Sequence, residues 1–196
     1  MRKQALVAAL VFAAPLAATA APDTYVIDPI HSFAYFAIDH FGVSTVRGRF
    51  DKSSGKFTLD REAKSASLEV AVDTASVNTG DNDRGTRKRS RDEHLRSADF
   101  FNVAEFPQMT YKSTAVKFNG DAPAEIEGEL TLLGVSKPVT LKVERWTCRD
   151  HPMSKKPMCG GDATGAFKRS DFGMKYAVPA VGDEVKLFVN VEGYKQ

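Results

Sequence analysis

The chain has 196 residues, 42% of them hydrophobic, with 27 basic and 25 acidic side chains. The length suits one domain with a real core and gives no sign of a second domain or an internal repeat. Without Arg2 and Lys3, which belong to the leader described next, 25 basic residues face 25 acidic ones (27 − 2), and a neutral chain of this kind is no nucleic-acid binder.

Arg2 and Lys3 precede a short apolar run from Ala5 to about Ala17, and Ala18-Thr19-Ala20 fits a small-x-small cleavage pattern. This predicts a secretory signal peptide over residues 1–20, cleaved near Ala20, and a single mature domain over 21–196. The apolar run is too short to span a bilayer and Pro15 interrupts it, so a membrane-spanning protein is not expected. No cysteine follows it, which argues against a lipid anchor there.

The mature chain enters a short strand at Thr24-Tyr25-Val26-Ile27, ended by Asp28-Pro29. Two longer strands follow, joined at Phe41-Gly42, and read as a hairpin. The first sets Ser32, Ala34, Phe36, Ile38 and His40 against Phe33, Tyr35, Ala37 and Asp39. Both faces carry large apolar groups, so one packs on protein and the other is a candidate cavity wall. Gly48 within the second strand marks a bend or a close approach to the backbone. Ser53-Ser54-Gly55 reads as a turn, and Ser65 to Asp73 as a strand with Leu68, Val70 and Val72 on its inner face.

Residues 79–91, TGDNDRGTRKRSR, are polar, basic and punctuated by glycine. They read as a solvated loop, with an anion-attracting rim as the functional alternative. A short helix is expected near residues 91–97. Phe100, Phe101 and Phe106 then need burial, as a barrel plug or at a pocket mouth. Strands are expected at Gln108–Ser113, with Met109 and Tyr111 on one face, and at Ala115–Asn119. A hairpin follows, with Ile126, Leu130 and Leu132 answered across Gly134 by Val139, Leu141 and Val143.

Cys148 and Cys159 bound a loop of ten residues. After export two such cysteines predict a disulfide, whose closure contributes about 3 kcal/mol in the chain-entropy view. The sharper alternative is a metal site of Cys148, His151 and Cys159, but the spacing fits no common zinc pattern and a fourth ligand is lacking. Ala163–Lys168 is a short strand with Phe167, and Glu184–Glu192 is the last, with Val185, Leu187, Val189 and Val191 on one face. Strand signals about every ten residues, with turns between, describe an all-β antiparallel barrel or sandwich.

Six separated motifs carry a resemblance. They are Asp28-Pro29-x-His31-Ser32; Phe36-x-x-x-His40-x-Gly42-x-Ser44-x-Val46-x-Gly48-x-Phe50; and Arg91-Asp92-x-His94-Leu95-x-Ser97-x-x-Phe100-Phe101 with Phe106-Pro107. Gly128-x-Leu130-Thr131-x-x-Gly134-Val135-x-Lys137-Pro138-Val139 and Arg169-Ser170-Asp171-Phe172-Gly173-Met174 complete the set, with the Cys159-Gly160-Gly161-Asp162 run. Together they resemble the YceI family of exported proteins. The resemblance implies a lipocalin-like antiparallel β-barrel with a long apolar tunnel, and members that bind polyisoprenoid lipids, including isoprenoid quinones. The basic segment 79–91 is longer than the family's usual connection.

A barrel of about eight strands has room for one slender ligand. The candidate ligand-binding residues are Phe36, Ile38, His40, Phe50, Val70, Val72, Phe100, Met109, Tyr111, Leu130, Leu132, Phe167, Phe172, Leu187 and Val189. The alternative is that they fill a solid core. His31 and His40 fall on opposite faces of a continuous strand, which disfavours a shared metal. Arg169 and Asp171 are candidates for an ion pair closing the barrel end or for a polar head-group contact.

The expected function is non-enzymatic binding, with transport or storage, of a long-chain isoprenoid lipid or quinone in the periplasm. No metal and no cofactor beyond that lipid is expected. Transient contact with a membrane and a homodimer are left open. The alternatives are an enzyme acting on such a lipid and a solid-core protein that works through its surface.

Overall fold

The protein is described here as a computed structural model covering residues 21–196; the expected leader, residues 1–20, lies outside the described residues. The elements in chain order are β1 (Asp23–Ile27), β2 (Phe33–His40), β3 (Ser44–Phe50), β4 (Ser53–Asp60), β5 (Ser65–Asp73), β6 (Val77–Asn78), α1 (Arg91–Arg96), β7 (Gln108–Asn119), β8 (Ala122–Leu132), β9 (Val135–Asp150), β10 (Pro157–Lys168) and β11 (Val181–Lys195).

These eleven strands form one antiparallel sheet that closes where β11 meets β1, with Tyr25 opposite Lys195. Three of the barrel's positions are strands broken in two. β1 and β2 are halves of one position, interrupted at residues 28–32, and β11 pairs with both. β3 and β4 answer them as the next position, and β5 with β6 is the third. With β7 to β11 this makes a closed barrel of eight positions. Closure removes most of the sheet's edge, but β3 keeps an open edge at residues 44–48, because β6 pairs only with Arg49 and Phe50.

The interruption at residues 28–32 is built by side chains. Asp28 Oδ1 accepts the Ile30 amide at 2.9 Å. Buried Ser32 then replaces the missing ladder bonds, its Oγ donating to the Glu192 carbonyl and accepting the Glu192 amide at 2.9 Å. The helix α1 starts on a capping box, in which Ser90 Oγ accepts from the Glu93 amide and Glu93 Oε2 from the Ser90 amide.

Several boundaries differ from the sequence-based expectation. Ser53–Gly55 is not a turn but the start of β4; the chain bends at residues 51–52. The two strands expected at 108–113 and 115–119 are one, β7, with a bulge between Ser113 and Ala115 that supplied the apparent break. The stretch between the cysteines is not an open loop. β9 and β10 run through both cysteines, which face each other across the ladder and form a disulfide with Cα atoms 4.0 Å apart. That bond removes the metal alternative built on Cys148, His151 and Cys159.

The interior is divided. Tyr25, Ile27, Phe57, Leu59 and Cys159 pack solidly with Trp146 at the disulfide end. Tyr25 stacks on Phe57 at 4.9 Å, and Trp146 meets Phe57 edge-on at 5.4 Å. The second cluster, built on Phe50, Val72, Val77, Leu130, Leu132 and Phe172, occupies the other half. It packs around a cavity rather than filling its space.

Candidate functional site

The barrel encloses an apolar cavity of about 470 Å³. Its walls come from alternate residues of the strands, as a period of two requires. β2 supplies Ala34, Phe36, Ile38 and His40; β3 supplies Val46 and Phe50; β5 supplies Leu68, Val70 and Val72. Met109 and Tyr111 come from β7, Leu130 and Leu132 from β8, Val139 and Leu141 from β9, Phe167 from β10, and Val185, Leu187 and Val189 from β11. Gly48 makes this wall possible, because a Cβ there would lie 2.4 Å from the Phe36 ring.

Of the candidate ligand-binding residues, all but Phe172 border this cavity, including His40 and Phe100 at one end. Phe172 lies fully buried behind Phe167, ring centroids 5.2 Å apart, and supports the wall without forming it. The cavity narrows toward the disulfide end. Its deepest residues, Leu68, Val70, Leu141 and Val189, sit above the Tyr25–Phe57–Trp146 cluster. A pocket of about 60 Å³ lies next to it against Trp146, whose buried Nε1 has no hydrogen-bond partner among the described residues. Aromatic rings floor the cavity at that end.

The other end is the mouth, recognised because its residues both line the cavity and meet solvent. Phe41 is 59% exposed and Tyr176 46%. Sequence periodicity did not point to these residues or to Arg91, His94, Leu95, Met174 and Ala177, which complete the mouth. They lie on α1 and on the irregular segment 173–180. The Arg91–His94–Leu95 motif was visible, but nothing in it says which way α1 faces.

Arg169 holds the mouth together. It is 1% exposed and donates to four backbone carbonyls: Nε to Gly182 at 2.8 Å, Nη1 to Met174 and Tyr176, and Nη2 to Val181 at 2.9 Å. Burial pulls its guanidinium below the usual arginine value, partly countered by the charge of Asp183. The expected ion pair with Asp171 is not formed, and Asp171 faces solvent. Asp183 instead accepts from the Ser170 amide and hydroxyl, which hold its carboxyl below the ordinary range.

The remaining polar groups are arranged in pairs. His94 Nε2 lies 2.8 Å from Asp99 Oδ2, which also accepts from Arg89 at 2.9 Å. These two bonds, His94's first, hold the Asp99 carboxyl below its usual value. The His94 ring packs edge-on against Phe100 and Tyr176. Tyr111 places its hydroxyl 2.9 Å from the Val139 carbonyl and 3.1 Å from that of Ile126, and burial raises its pKa strongly. The basic loop is tied internally: Arg87 grips Asp81 through two nitrogens, and buried Asp92 accepts from the Thr79 amide and hydroxyl.

Two further features lie outside the barrel. A concavity of about 970 Å³ runs over the outer faces of β2, β9, β10 and β11, bordered by Phe33, Tyr35, Phe188, Arg145 and Arg149. It is larger but open and charged along its border, so it does not remove a ligand from water as the interior does. Asp28, His31 and Glu192 bring ligand-type atoms within 4.8 Å of one another. The His31 Nδ1 to Asp28 Oδ2 separation is 2.7 Å, closer than two donors sit around one ion at bond lengths of about 2.1 Å. That geometry is a hydrogen bond, not a coordination sphere.

Comparison with known proteins agrees with this architecture. The YceI-like domain family matches residues 25–193. "Protein YceI" of Escherichia coli is 41% identical over 167 residues, covering 85% of this chain and 83% of the relative. A Campylobacter jejuni YceI crystal structure superposes with a TM-score of 0.65 at 28% identity, covering 81% and 90% of the two chains. A polyisoprenoid binding domain from Saccharophagus degradans, implicated in plant cell wall breakdown, shares the fold with a TM-score of 0.62 at 18% identity, covering 88% and 98%. With a closed eight-position barrel, a family match over residues 25–193 and relatives of this identity along most of its length, the chain belongs to the YceI-like domain family.

Proposed function

We propose that the protein binds the tail of an isoprenoid lipid or isoprenoid quinone in its barrel, as an exported carrier or store in the periplasm and not as an enzyme. The observation that carries this reading is the enclosed cavity of about 470 Å³ walled by apolar side chains from every barrel position. A solid-core protein would close such a space, since each empty volume forfeits dispersion contacts. The name of the Saccharophagus degradans relative supports the ligand class.

The dimensions limit how much tail such a cavity would enclose. At about 30 Å³ per water-sized group the cavity holds roughly fifteen heavy atoms, or about three isoprene units. Burying that many carbons is worth roughly 12 kcal/mol at about 0.8 kcal/mol each, against association costs of about 4–15 kcal/mol. At the lowest of those costs the balance is about −8 kcal/mol, micromolar binding without any head-group contact, and at higher costs a head-group contact must add to it. A longer chain leaves its remainder outside the mouth, because the aromatic floor blocks further entry.

The test is organic extraction of natively purified protein followed by mass spectrometry, with reloading from detergent by a prenyl quinone. A stoichiometric prenyl lipid, and loss of reloading in Val189→Trp with an unchanged circular dichroism spectrum, are expected. A clean extract together with no uptake would refute the reading.

One observation favours a second reading, an enzyme acting on the head group. The His94–Asp99 pair stands at the mouth, where such a group would emerge. Under the binding reading His94→Gln retains ligand and no turnover of a prenyl quinone is found; under the enzyme reading a measured turnover disappears in that variant.

A further inference from the structure

The mouth carries more exposed apolar surface than its role as an opening requires. The β2–β3 tip places Phe41 and Val43 in solvent, Val43 at 85% exposure. Both Phe41 and Gly42 take positive φ, 61° and 68°, so the tip is a tight turn that holds these side chains outward. Beside it runs the segment Tyr176-Ala177-Val178-Pro179-Ala180, almost all of it exposed. The two are joined: the Phe41 amide donates to the Ala180 carbonyl at 2.9 Å, and His40 pairs with Val181. They form one platform, fixed from below by Arg169.

Cations flank the mouth residues in the chain. Arg47 follows the cavity residue Val46, Lys175 lies between the cavity residues Met174 and Tyr176, and Arg84 and Lys88 project from the loop that leads into Arg91. All four are exposed, and among the described residues none joins a salt bridge, unlike Arg87, Arg89 and Arg91. Of the nearby carboxylates, Asp81 and Asp99 are neutralised by Arg87 and Arg89, while Asp183 and Asp39, which accept from Ser170 and the Gly42 amide, and exposed Asp171 keep their charge. Protruding apolar tips flanked by free cations are the complement of a bilayer interface with negative head groups.

We propose that the mouth docks on an anionic phospholipid bilayer, with Phe41, Val43 and the 176–180 segment entering the interfacial zone and Arg47, Arg84, Lys88 and Lys175 facing lipid phosphates. This inference rests on the tail-binding reading, to which it adds a route. A tail leaving the bilayer through the mouth passes from one apolar phase to another without crossing water. The cations contribute about fivefold each in vesicle affinity at low salt.

The test is flotation of protein expressed from the full-length sequence. The vesicles are phosphatidylcholine alone or phosphatidylcholine mixed with phosphatidylglycerol. The variants are Val43→Asp and Arg47→Gln/Lys175→Gln, none of whose positions lines the cavity. Parent protein is expected to float with the anionic vesicles, weakly with the neutral ones, and less as salt rises. Val43→Asp should lose about tenfold and the double variant about 25-fold. In parallel, uptake of a prenyl quinone is measured from detergent and from anionic vesicles. Both variants should take it from detergent as the parent does but slowly from vesicles. Flotation that ignores lipid charge, or variants that float as the parent does, overturns the docking proposal. Failure of every form to take quinone from detergent overturns the tail-binding reading instead, and flotation still decides the docking one.

Discussion

Replacing Arg169 with methionine tests whether the mouth is held as described. The side chain spends its donors on four carbonyls, at 2.8 Å to Gly182, 3.2 Å to Met174, and 2.9 Å to both Tyr176 and Val181. Methionine fills much of the same volume but leaves those carbonyls without a donor. Each orphaned group costs about 1–3 kcal/mol when buried. The segment is partly exposed, so water recovers some of this, and the cost of burying the guanidinium charge is returned. The net loss is about 4 kcal/mol, which lowers the melting temperature by about 8–16 °C for a domain of this size. Urea unfolding and thermal melts followed by circular dichroism measure it. Arg169→Lys should recover only a minor part, because an ammonium donates from one nitrogen and cannot reach four carbonyls that the guanidinium meets with three. The second consequence is functional: with the platform loosened, bound prenyl quinone should exchange several-fold faster even where the barrel remains folded. A variant that melts within about 2 °C of the parent would refute the account of Arg169 as the tie.

Two further outcomes follow from the geometry. Changing Cys148 and Cys159 together to serine should lower stability by about 3 kcal/mol, read as a shift in urea midpoint. Quinone uptake should persist, because the disulfide lies below the aromatic floor and borders no part of the cavity. The Asp28–His31 pair predicts a pH dependence. The hydrogen bond to Asp28 raises the His31 pKa above 6.5, so its contribution is full below about 6.5 and fades as pH rises through the folded value. Burial pushes the Asp28 carboxyl up, but the bonds from His31 and the Ile30 amide outweigh it and leave the pKa low. Its contribution is present above about 3.9 and is lost as pH falls through the folded value. The pair is therefore complete between about pH 4 and 6.5. In Asp28→Asn the His31 titration, followed by NMR, should move down toward 6.5; an unchanged value would show that the bond is not formed.

What the sequence made legible, and what it hid, divides along the line between periodic and irregular backbone. β2 could be read residue by residue, because Ala34, Phe36, Ile38 and His40 alternate with Phe33, Tyr35, Ala37 and Asp39, and the structure turns the first set to the cavity. The same rule placed Leu130, Leu132, Leu187 and Val189. It failed where one residue breaks the period, as at the Ser113/Ala115 bulge, which made one strand look like two. It was silent on the mouth. Phe172 looked like a ligand contact because it is aromatic and sits in a motif. It lies in a short 3-10 turn whose direction is set by Gly173 at φ 87°, and that turn buries it behind Phe167. Arg169 was paired with Asp171 by proximity in the chain, but its partners are carbonyls of the segment that loops back over it. Periodicity names the wall of a barrel because each strand repeats the same choice of face. The depth of the cavity and the character of its mouth depend on single contacts between remote segments, such as Trp146 on Phe57 and Phe41 on Ala180. These contacts shape the floor and the mouth of the cavity, so under the tail-binding proposal any chain-length preference should follow residues 57 and 146 and not the strand pattern that announces the family.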